Sequence, residues 1–454
     1  MTSTFMFHRA FFRTSTVLAA ALWLGAAVAQ DQDNATDNQE LDNTLPLDEL
    51  QVFAEVFGKI KSEYVDEASD VDLLRDAIRG MLSGLDPHST FLEPEAFKEI
   101  RISTEGKFGG LGIEVTTEGG LIKVVTPIDG TPAADADIRP GDIIVMIDGK
   151  PVRGMDLRDA VDSMRGEPGT RIVLSISRQG MAEPIEVPLV RAVIKVASVR
   201  GQLLEQHFGY ARISSFQSGT SNNLRSQIEK LSKKNDSALE GLVLDLRNNP
   251  GGVLNSAVEV SDLFLEDGSI VATRGRDQAA DSSYEARPGD ILSGAPLVVL
   301  VNGGSASASE IVAGALQDHQ RAIIMGTRTF GKGSVQTVIP MNNGGALKLT
   351  TARYYTPLDR SIQARGIEPD IVVEQAEFAG TDGSGTSAIR ESDLAGHLKK
   401  EDGAEKQGDI EESENEEAVS DGSKLLLEDY QVREALNLLK GMRLVRKYMV
   451  KDAG

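Results

Sequence analysis

The chain has 454 residues, enough for two or three domains, and its formal net charge of −22 argues against a nucleic-acid binder, which needs clustered Lys and Arg. It contains no cysteine, so disulfides, thiolate metal sites and a cysteine nucleophile are excluded. Aromatic residues make up only 5% of the chain, which fits α/β layers filled with aliphatic side chains.

The first 29 residues have the pattern of an export signal. Arg9 and Arg13 precede an apolar run over 17–28, which ends in Ala27-Val28-Ala29. This run is shorter than the roughly 20 apolar residues of a comfortable membrane span. We expect a cleaved signal over 1–29; the alternative is an uncleaved anchor. No later segment is apolar enough to cross a bilayer, so the mature protein is expected to be soluble after export.

A flexible acidic leader is predicted over 30–46 and an N-terminal helical region over 47–102. Apolar residues recur there at three- and four-residue steps as far as Leu85, which predicts two helices with a break near 64–69. The segment Leu85-Asp86-Pro87-His88-Ser89 is a predicted turn, because Asp and Pro punctuate it.

Residues 103–190 are predicted to form a small, β-rich independent domain. Its predicted strands lie at 112–115, 121–125, 143–147 and 171–177, and a predicted helix lies at 155–164.

Residues 191–376 alternate strands and helices, which predicts a layered α/β core. The continuous apolar runs 241–246 and 297–301 are typical of buried parallel strands. Helices are predicted after them at 255–264 and 308–319. The acidic insert 377–423 is predicted to be disordered, and a C-terminal helical segment is predicted over 424–454.

The strongest chemical signal lies between Asn302 and Glu310, in the run Asn-Gly-Gly-Ser-Ala-Ser-Ala-Ser-Glu. It follows a predicted buried strand and opens a helix. Its small residues let a substrate backbone approach, a serine there meets the positive end of the helix dipole, and the next amide can stabilise an oxyanion. The alternative is a tight strand-to-helix turn with Ser305 or Ser309 as the N-cap.

A nucleophilic serine needs a base, and Lys332 in Thr329-Phe330-Gly331-Lys332-Gly333 is the preferred candidate. Burial away from carboxylates would lower the pKa of this lysine toward neutrality. Gln336 would reach it in a helical turn but not in an extended strand. A phosphate-binding loop is the alternative, but the full P-loop pattern is missing.

Histidine is a weaker candidate for the base. His397 lies in the predicted disordered insert, and His319 ends the helix that begins at the serine turn. His88 and His207 could approach only through folding.

A second glycine turn, Asp245-Leu246-Arg247-Asn248-Asn249-Pro250-Gly251-Gly252, also ends a predicted strand. The amide of Gly251 or Gly252 could supply a second oxyanion donor. Asp245 and Arg247 are expected to form a structural pair.

In the small domain, Gly109-Gly110-Leu111-Gly112 precedes a strand that begins near Ile113. Consecutive amides in such a turn form a nest for a carboxylate, and the strand edge can pair with an extended peptide. The helix that carries Val161 would form an apolar wall. A plain β-turn is the alternative.

At these residues the sequence resembles the carboxyl-terminal processing peptidases of serine peptidase family S41. The resemblance covers most of the chain. Besides the turn at 85–89 and the segments quoted above, it rests on Ile138-Arg139-Pro140-Gly141-Asp142 and Gly366-Ile367-Glu368-Pro369-Asp370.

The resemblance implies an α/β, ClpP/crotonase-like protease core with an inserted PDZ domain at 103–190. It selects Ser307 as the nucleophile, Lys332 as the general base and Gln336 as its orienting partner. The next amide, that of Ala308, then becomes an oxyanion donor. The resemblance also implies that Arg165 couples the position of the PDZ domain to the reactive site.

The sequence therefore predicts a periplasmic serine endopeptidase, soluble or attached to the inner membrane by its signal, that needs no cofactor or metal. Its expected partners are proteins or peptides with exposed apolar C-termini. An adaptor protein and a second copy of the chain are further candidates. Two rival classes are a PDZ scaffold with an inactive core and a crotonase-type acyl-thioester enzyme, and neither accounts for the PDZ domain, Ser307 and Lys332 together. The predicted PDZ contacts are Gly109, Gly110, Leu111, Gly112, Ile113 and Val161.

Overall fold

The computed structural model describes residues 45–278, 281–376 and 421–452. The predicted signal, most of the predicted leader and nearly all of the acidic insert, His397 included, lie outside these residues. Across the described ranges, no helix combines the length and the apolar character that a bilayer crossing requires.

Helices and strands alternate along most of the described chain. The helices are α1 (Leu47–Glu63), α2 (Asp70–Ser83), α3 (Pro94–Glu105), α4 (Pro132–Asp135), α5 (Leu157–Met164), α6 (Thr220–Lys234), α7 (Leu254–Asp262), α8 (Ala308–Asp318), α9 (Asp421–Glu428) and α10 (Tyr430–Asp452). The strands are β1 (Thr90–Leu92), β2 (Lys107–Gly110), β3 (Ile113–Glu118), β4 (Leu121–Pro127), β5 (Ile143–Ile147), β6 (Lys150–Pro151), β7 (Arg171–Ser177), β8 (Ile185–Val190), β9 (Ala192–Lys195), β10 (Val199–Glu205), β11 (Phe208–Ile213), β12 (Gly241–Asp245), β13 (Ser269–Gly275), β14 (Ser282–Glu285), β15 (Leu297–Val301), β16 (Ile323–Gly326), β17 (Ser334–Pro340), β18 (Ala346–Tyr355) and β19 (Ile371–Val372).

The chain divides into two compact units, with the boundary after Leu73. The first unit contains α1, and none of the residues of this helix is buried. The two predicted N-terminal helices are confirmed, with their break at 64–69 between α1 and α2.

The α/β core in the second unit is built on a six-stranded sheet with the order β10-β11-β12-β15-β16-β19. All pairs from β11 to β19 are parallel, and β10 is antiparallel to β11. Every residue of β12 and β15 is buried, because apolar side chains cover both faces of these strands. One face packs on α6, α7 and α8, and the other on α10.

A second, antiparallel sheet has the order β1-β18-β13-β14, with β17 paired to β18. Its first strand lies in the region predicted to be only helical, so that prediction was incomplete. The register pairs Thr90 with Lys348. A strand of three residues is too short to show a periodic pattern, and its partner lies far along the chain. As a result, β1 brings the turn at 85–89 to the core.

The predicted PDZ domain has its own sheet, β3-β4-β5-β7-β8, which packs on α5 around a separate apolar core. The four strands and the helix predicted there are confirmed within a few residues, while α4 and β8 were not predicted. The domain is inserted between β1 and β10. Its entry strand β2 pairs antiparallel with its exit strand β9, so the two connections form one two-stranded stem.

The C-terminal segment packs on the core instead of extending from it. Val432, Ala435, Leu436 and Leu439 of α10 are buried against the sheet. Helix α9 begins at Asp421, inside the stretch predicted to be disordered.

Candidate active site

Three loops meet at one edge of the parallel sheet because they follow three neighbouring strands. β12, β15 and β16 are adjacent, and each leads into its loop at its carboxyl end. The loop after β12 contains Gly251, the loop after β15 contains Ser307, and the loop after β16 contains Lys332. The strand order of the sheet thus brings together residues that are 81 positions apart in sequence (332 − 251).

Ser307 is the residue immediately before α8, with φ 54° and ψ −110°. A positive φ is costly for a non-glycine residue and persists only where the surroundings impose it. Here the flanking residues are fixed to the Asn249 carbonyl, which accepts from the Ala306 amide at 3.0 Å and the Ser309 hydroxyl at 2.9 Å. The turn leaves Ser307 partly exposed at the surface of the sheet edge.

Glu310 joins the serine turn to the lysine loop. Its carboxylate is fully buried and accepts four hydrogen bonds. Oε2 accepts from the amides of Ser307 at 2.7 Å and Lys332 at 2.8 Å. Oε1 accepts from the Thr329 hydroxyl and the Gly331 amide, both at 2.6 Å. The sequence analysis gave Glu310 no role, although its spacing from Ser307 is that of a capping box.

Lys332 is partly buried, and burial lowers the pKa of its ammonium group. The positive charge of Lys348 lowers this pKa further, whereas Asp86 and Glu310 raise it. The expectation of a carboxylate-free surrounding was therefore wrong. Both carboxylates are, however, already held by hydrogen-bond donors from the protein, and the net direction of the pKa is downward.

The turn at 85–89 reaches Lys332 because β1 is part of the second sheet. Asp86 Oδ1 accepts from the amides of His88 at 2.7 Å and Ser89 at 2.9 Å, and Oδ2 accepts from the Ser89 hydroxyl at 2.7 Å. Burial alone would raise the pKa of Asp86, but these bonds lower it to about 2. Burial, and then the charge of Lys332, lowers the pKa of His88. At neutral pH the turn therefore presents an ionised carboxylate and a neutral imidazole.

No histidine of the described chain forms a hydrogen bond with Ser307. His319 Nε2 lies 2.7 Å from the Ser269 carbonyl, and His207 lies beside Glu240. His88 lies near Lys332, and the sequence did not indicate this proximity.

Gln336 lies in β17, and its Nε2 donates to the hydroxyls of Ser334 at 2.8 Å and Thr350 at 3.4 Å. Among the described residues no hydrogen bond joins Gln336 to Lys332, because the strand carries Gln336 away from the loop. Its orienting role stays a prediction.

Tyr354 of β18 is buried near Ser307, and among the described residues no hydrogen bond joins the two side chains. Burial raises the pKa of Tyr354 to about 12, so this phenol is neutral. The described chain has no hydrogen bond between Ser307 and Lys332. The Tyr354 amide donates to the Gly333 carbonyl at 2.8 Å, which fixes β18 to the lysine loop.

The three predicted oxyanion residues differ in what their backbones contact. The Gly251 amide donates to Asn249 Oδ1 at 2.9 Å, and a Cβ on Gly251 would lie 2.9 Å from Ser307 Cβ. Gly251 therefore packs directly against Ser307. Its φ of 103° is a backbone conformation that favours glycine. The amides of Ala308 and Gly252 have no acceptor among the described residues, which leaves them available to a substrate oxygen.

The glycines beside Lys332 serve close packing of the loop. Gly331 has φ 91°, and a Cβ on Gly333 would lie 2.3 Å from the Gln363 amide nitrogen. Both glycines therefore admit the backbone of a neighbouring loop.

A groove of about 210 Å³ lies between β3 and α5 of the predicted PDZ domain. Five of the six predicted contact residues line it, together with four residues that were not predicted. The lining is Phe108, Gly110, Leu111, Gly112, Ile113, Val115, Val161, Met164 and Arg165. Gly109 does not line it; an added Cβ on Gly109 would lie 2.0 Å from the Gly166 carbonyl oxygen.

Arg165 connects this groove to α3. Its Nη1 donates to the Glu99 carboxylate, and its guanidinium lies 5.0 Å from the centre of the Phe108 ring. Its Nε is buried and has no acceptor among the described residues. An unsatisfied buried donor at the edge of a groove is a position where a ligand group can bind.

Family models and known proteins match most of this chain. The family model described as Peptidase family S41 matches residues 207–373, a PDZ domain model matches 123–178, and a model described as Activating protease CtpB N-terminal domain matches 14–96. A carboxy-terminal-processing protease of Bartonella bacilliformis is 46% identical over 435 residues, 95% of each chain. The carboxy-terminal processing protease CtpA of Bacillus subtilis is 35% identical over 71% of this chain and 68% of its own. Among solved structures, a photosystem II D1 C-terminal processing protease is similar at 34% identity, with 72% of this chain and 93% of that chain covered and a TM-score of 0.41.

We expect the reactivity of Ser307 toward a phosphonofluoridate to rise with pH, because Lys332 must be neutral to accept the hydroxyl proton. The midpoint should lie below the ordinary lysine pKa of 10.5. Lys348→Met removes a cation, so it should raise the pKa of Lys332 and move the midpoint to higher pH by about half a unit. Asp86→Asn removes an anion and should move it to lower pH.

The measurement is the inactivation rate as a function of pH, with Lys230→Met on the exposed face of α6 as the charge-removal control. If Lys348→Met and Asp86→Asn moved the midpoint in the same direction, or if Lys230→Met moved it equally, the assignment of Lys332 as the titrating group would be contradicted.

Proposed function

The chain belongs to peptidase family S41 as a carboxy-terminal processing protease with a PDZ domain, and we propose that it is an exported serine endopeptidase that cuts with Ser307 and Lys332. The observation that carries this proposal is the Glu310 carboxylate, which accepts from the Ser307 and Lys332 amides at 2.7 and 2.8 Å. One buried group thus fixes both reactive residues relative to each other.

In the proposed reaction, neutral Lys332 takes the proton of the Ser307 hydroxyl while Oγ attacks the peptide carbonyl carbon. The Ala308 and Gly252 amides donate to the oxyanion. Lys332 then returns the proton to the leaving amine, and water hydrolyses the acyl-enzyme. Since no hydrogen bond joins Ser307 to Lys332 among the described residues, Lys332 is proposed to engage Ser307 only in the substrate-bound form, with Gln336 as the proposed orienting partner.

The proposed substrates are proteins or peptides with exposed apolar C-termini. The groove between β3 and α5 has the shape for this role, because an extended chain can pair with β3 while its last side chain enters the apolar pocket. The amides of Gly110, Leu111 and Gly112 are the proposed carboxylate nest.

Arg165 is the proposed link between this groove and the cleavage site. It lines the groove and is paired with Glu99 on α3, the helix that directly follows β1. β1 in turn follows the Asp86–Ser89 turn beside Lys332. A peptide carboxylate in the groove would compete with Glu99 for the guanidinium, and the released α3 would shift β1 and the charges around Lys332.

Export to the periplasm is proposed from the signal pattern over 1–29, and sequencing of the N-terminus of the recovered protein tests it: a start near Gln30 supports cleavage, while Met1 supports an uncleaved anchor. An adaptor protein that delivers substrates is a further proposed partner, which co-purification from crosslinked cells tests.

A second copy of the chain is proposed to bind through α1, whose apolar residues Leu50, Phe53, Val56 and Ile60 are all exposed.

Purified protein should hydrolyse casein, and Ser307→Ala and Lys332→Ala should each reduce the rate by a factor on the order of 10³ or more, because they remove the nucleophile and the base. Product release followed by gel and mass spectrometry gives the measurement. Equal hydrolysis by all three proteins would sink the dyad, and no hydrolysis by wild type even with an apolar C-terminal peptide present would favour an inactive scaffold.

If Arg165 and Glu99 form the resting latch, Glu99→Gln should raise basal hydrolysis of a short fluorogenic peptide, and Arg165→Met should abolish stimulation by a peptide with an apolar C-terminus. Arg139→Met, which removes a surface pair of the PDZ domain with Asp137, is the control. Stimulation of Arg165→Met to the wild-type extent would contradict the link.

Val56→Glu should weaken self-association by placing a charge on the apolar face of α1. Light scattering coupled to size exclusion gives the mass, with Lys59→Glu on the same helix as the control. An unchanged assembly in Val56→Glu, or a monomeric wild type, would refute dimerisation through α1.

A further inference from the structure

The buried guanidinium of Arg247 forms hydrogen bonds with two parts of the chain that are distant in sequence. Arg247 lies two residues after β12 and is 5% exposed. Nε and Nη2 donate to Asp245 at 3.0 and 2.7 Å. Nη1 and Nη2 donate to Asp429 at 3.0 and 2.7 Å, and Nη1 donates to Gln431 at 2.7 Å. These bonds use every N–H donor of the guanidinium. In three of them the acceptor is Asp429 or Gln431, at the start of α10.

The charges of this cluster balance. Asp245 is fully buried and also accepts from the Tyr210 hydroxyl at 2.7 Å and from Arg212 at 3.1 Å. Two carboxylates therefore face two guanidinium groups, and of these four side chains Asp245 and Arg247 are buried while Asp429 and Arg212 are partly exposed. Removal of one partner leaves an uncompensated buried charge, so the cluster holds its geometry firmly.

Gln431 extends the cluster to the end of the core domain. Its Nε2 donates to the Val373 carbonyl at 2.6 Å. Val373 precedes and Gln431 follows the long acidic insert in sequence, so the chain on both sides of the insert is fixed at the same place. Asp429 also accepts from the Val432 amide at 3.2 Å and caps α10.

The cluster is continuous with the turn that supports the nucleophile. The Arg247 carbonyl accepts from Arg212 at 3.2 Å. Two residues further, the Asn249 carbonyl accepts from Ala306 and Ser309, on either side of Ser307, at 3.0 and 2.9 Å. Asn249 is itself fixed by the Ile213 carbonyl, which accepts from its Nδ2 at 2.9 Å. The position of the Arg247 side chain is therefore coupled to the turn at 249–252.

We propose that Asp429 and Gln431 are positioning residues for peptide hydrolysis: the start of α10 acts as a clasp on Arg247 that holds the turn at 249–252 in the geometry that stabilises the oxyanion. This inference rests on the proposed function. It differs from a purely structural role of α10, in which Val432, Ala435, Leu436 and Leu439 stabilise the fold and the polar residues before them contribute nothing specific to the reaction.

The test uses the full chain with Asp429→Asn, which keeps a helix cap but removes the charge, and Gln431→Leu, which removes a neutral acceptor. Arg247→Lys keeps the charge but loses the forked geometry. All three variants should lower kcat for casein-derived peptides by about 10- to 100-fold with KM changed by less than about twofold, because a small displacement of the turn misplaces the oxyanion donors. Inactivation by a phosphonofluoridate should slow in parallel.

Lys440→Met is the matched control, since Lys440 lies on the same helix and pairs with Glu205 at the surface, at 2.7 Å. It should leave kcat unchanged. An unchanged kcat in both Asp429→Asn and Gln431→Leu would refute the clasp. A loss of kcat in proportion to the loss of melting temperature in every variant, Lys440→Met included, would also refute the clasp.

Hydrogen exchange separates failure of this inference from failure of the proposed function. The hydrogen-bonded amides of Asn249 and Gly251 should exchange faster in Asp429→Asn than in wild type, while the amides of β15 stay protected. This readout holds even if wild type cleaves no peptide. If Asp429→Asn does not fold, the uncharged change Gln431→Leu supplies the same comparison, and protection of the turn equal to wild type would overturn the clasp.

Discussion

The active site depends on one buried carboxylate. Glu310 has no contact with water and meets its need for donors through the amides of Ser307, Gly331 and Lys332 and the hydroxyl of Thr329. A buried carboxylate is stable only when such donors surround it. These hydrogen bonds therefore hold the serine turn and the lysine loop at a fixed distance from each other. The Asn249 carbonyl holds the residues on either side of Ser307 in addition, and Gly331 packs against the backbone of the neighbouring loop at 364–366.

Much of the fold was readable from local pattern. The runs 297–301, 143–147 and 171–177 match β15, β5 and β7 to the residue, because buried strands show as apolar runs between turn signals. The parts that were missed depend on distant partners. β1 has three residues and pairs with β18 more than 250 positions away, within a region that was predicted to be only helical. Nothing local indicates that residues 85–92 belong to the reactive edge.

The site was predictable to the same extent. Small residues after a buried strand marked the serine turn, and the resemblance to family S41 selected Ser307 and Lys332. The electrostatic surroundings of Lys332 were not predictable, because Asp86, His88 and Lys348 come from the turn before β1 and from β18. The prediction for Gln336 depended on a helical turn at 332–336, whereas β17 begins at Ser334 and the extended backbone separates the two side chains.

The stem of the PDZ domain constrains how that domain can move. Because β2 and β9 are hydrogen-bonded to each other, entry and exit of the domain share a narrow ribbon instead of two independent linkers. A two-stranded ribbon bends and twists more easily across its flat face than within its plane, so one hinge direction is favoured over the others. The ribbon also means that a nick in any outer loop of the domain would leave both fragments attached to the core and paired with each other through β2 and β9.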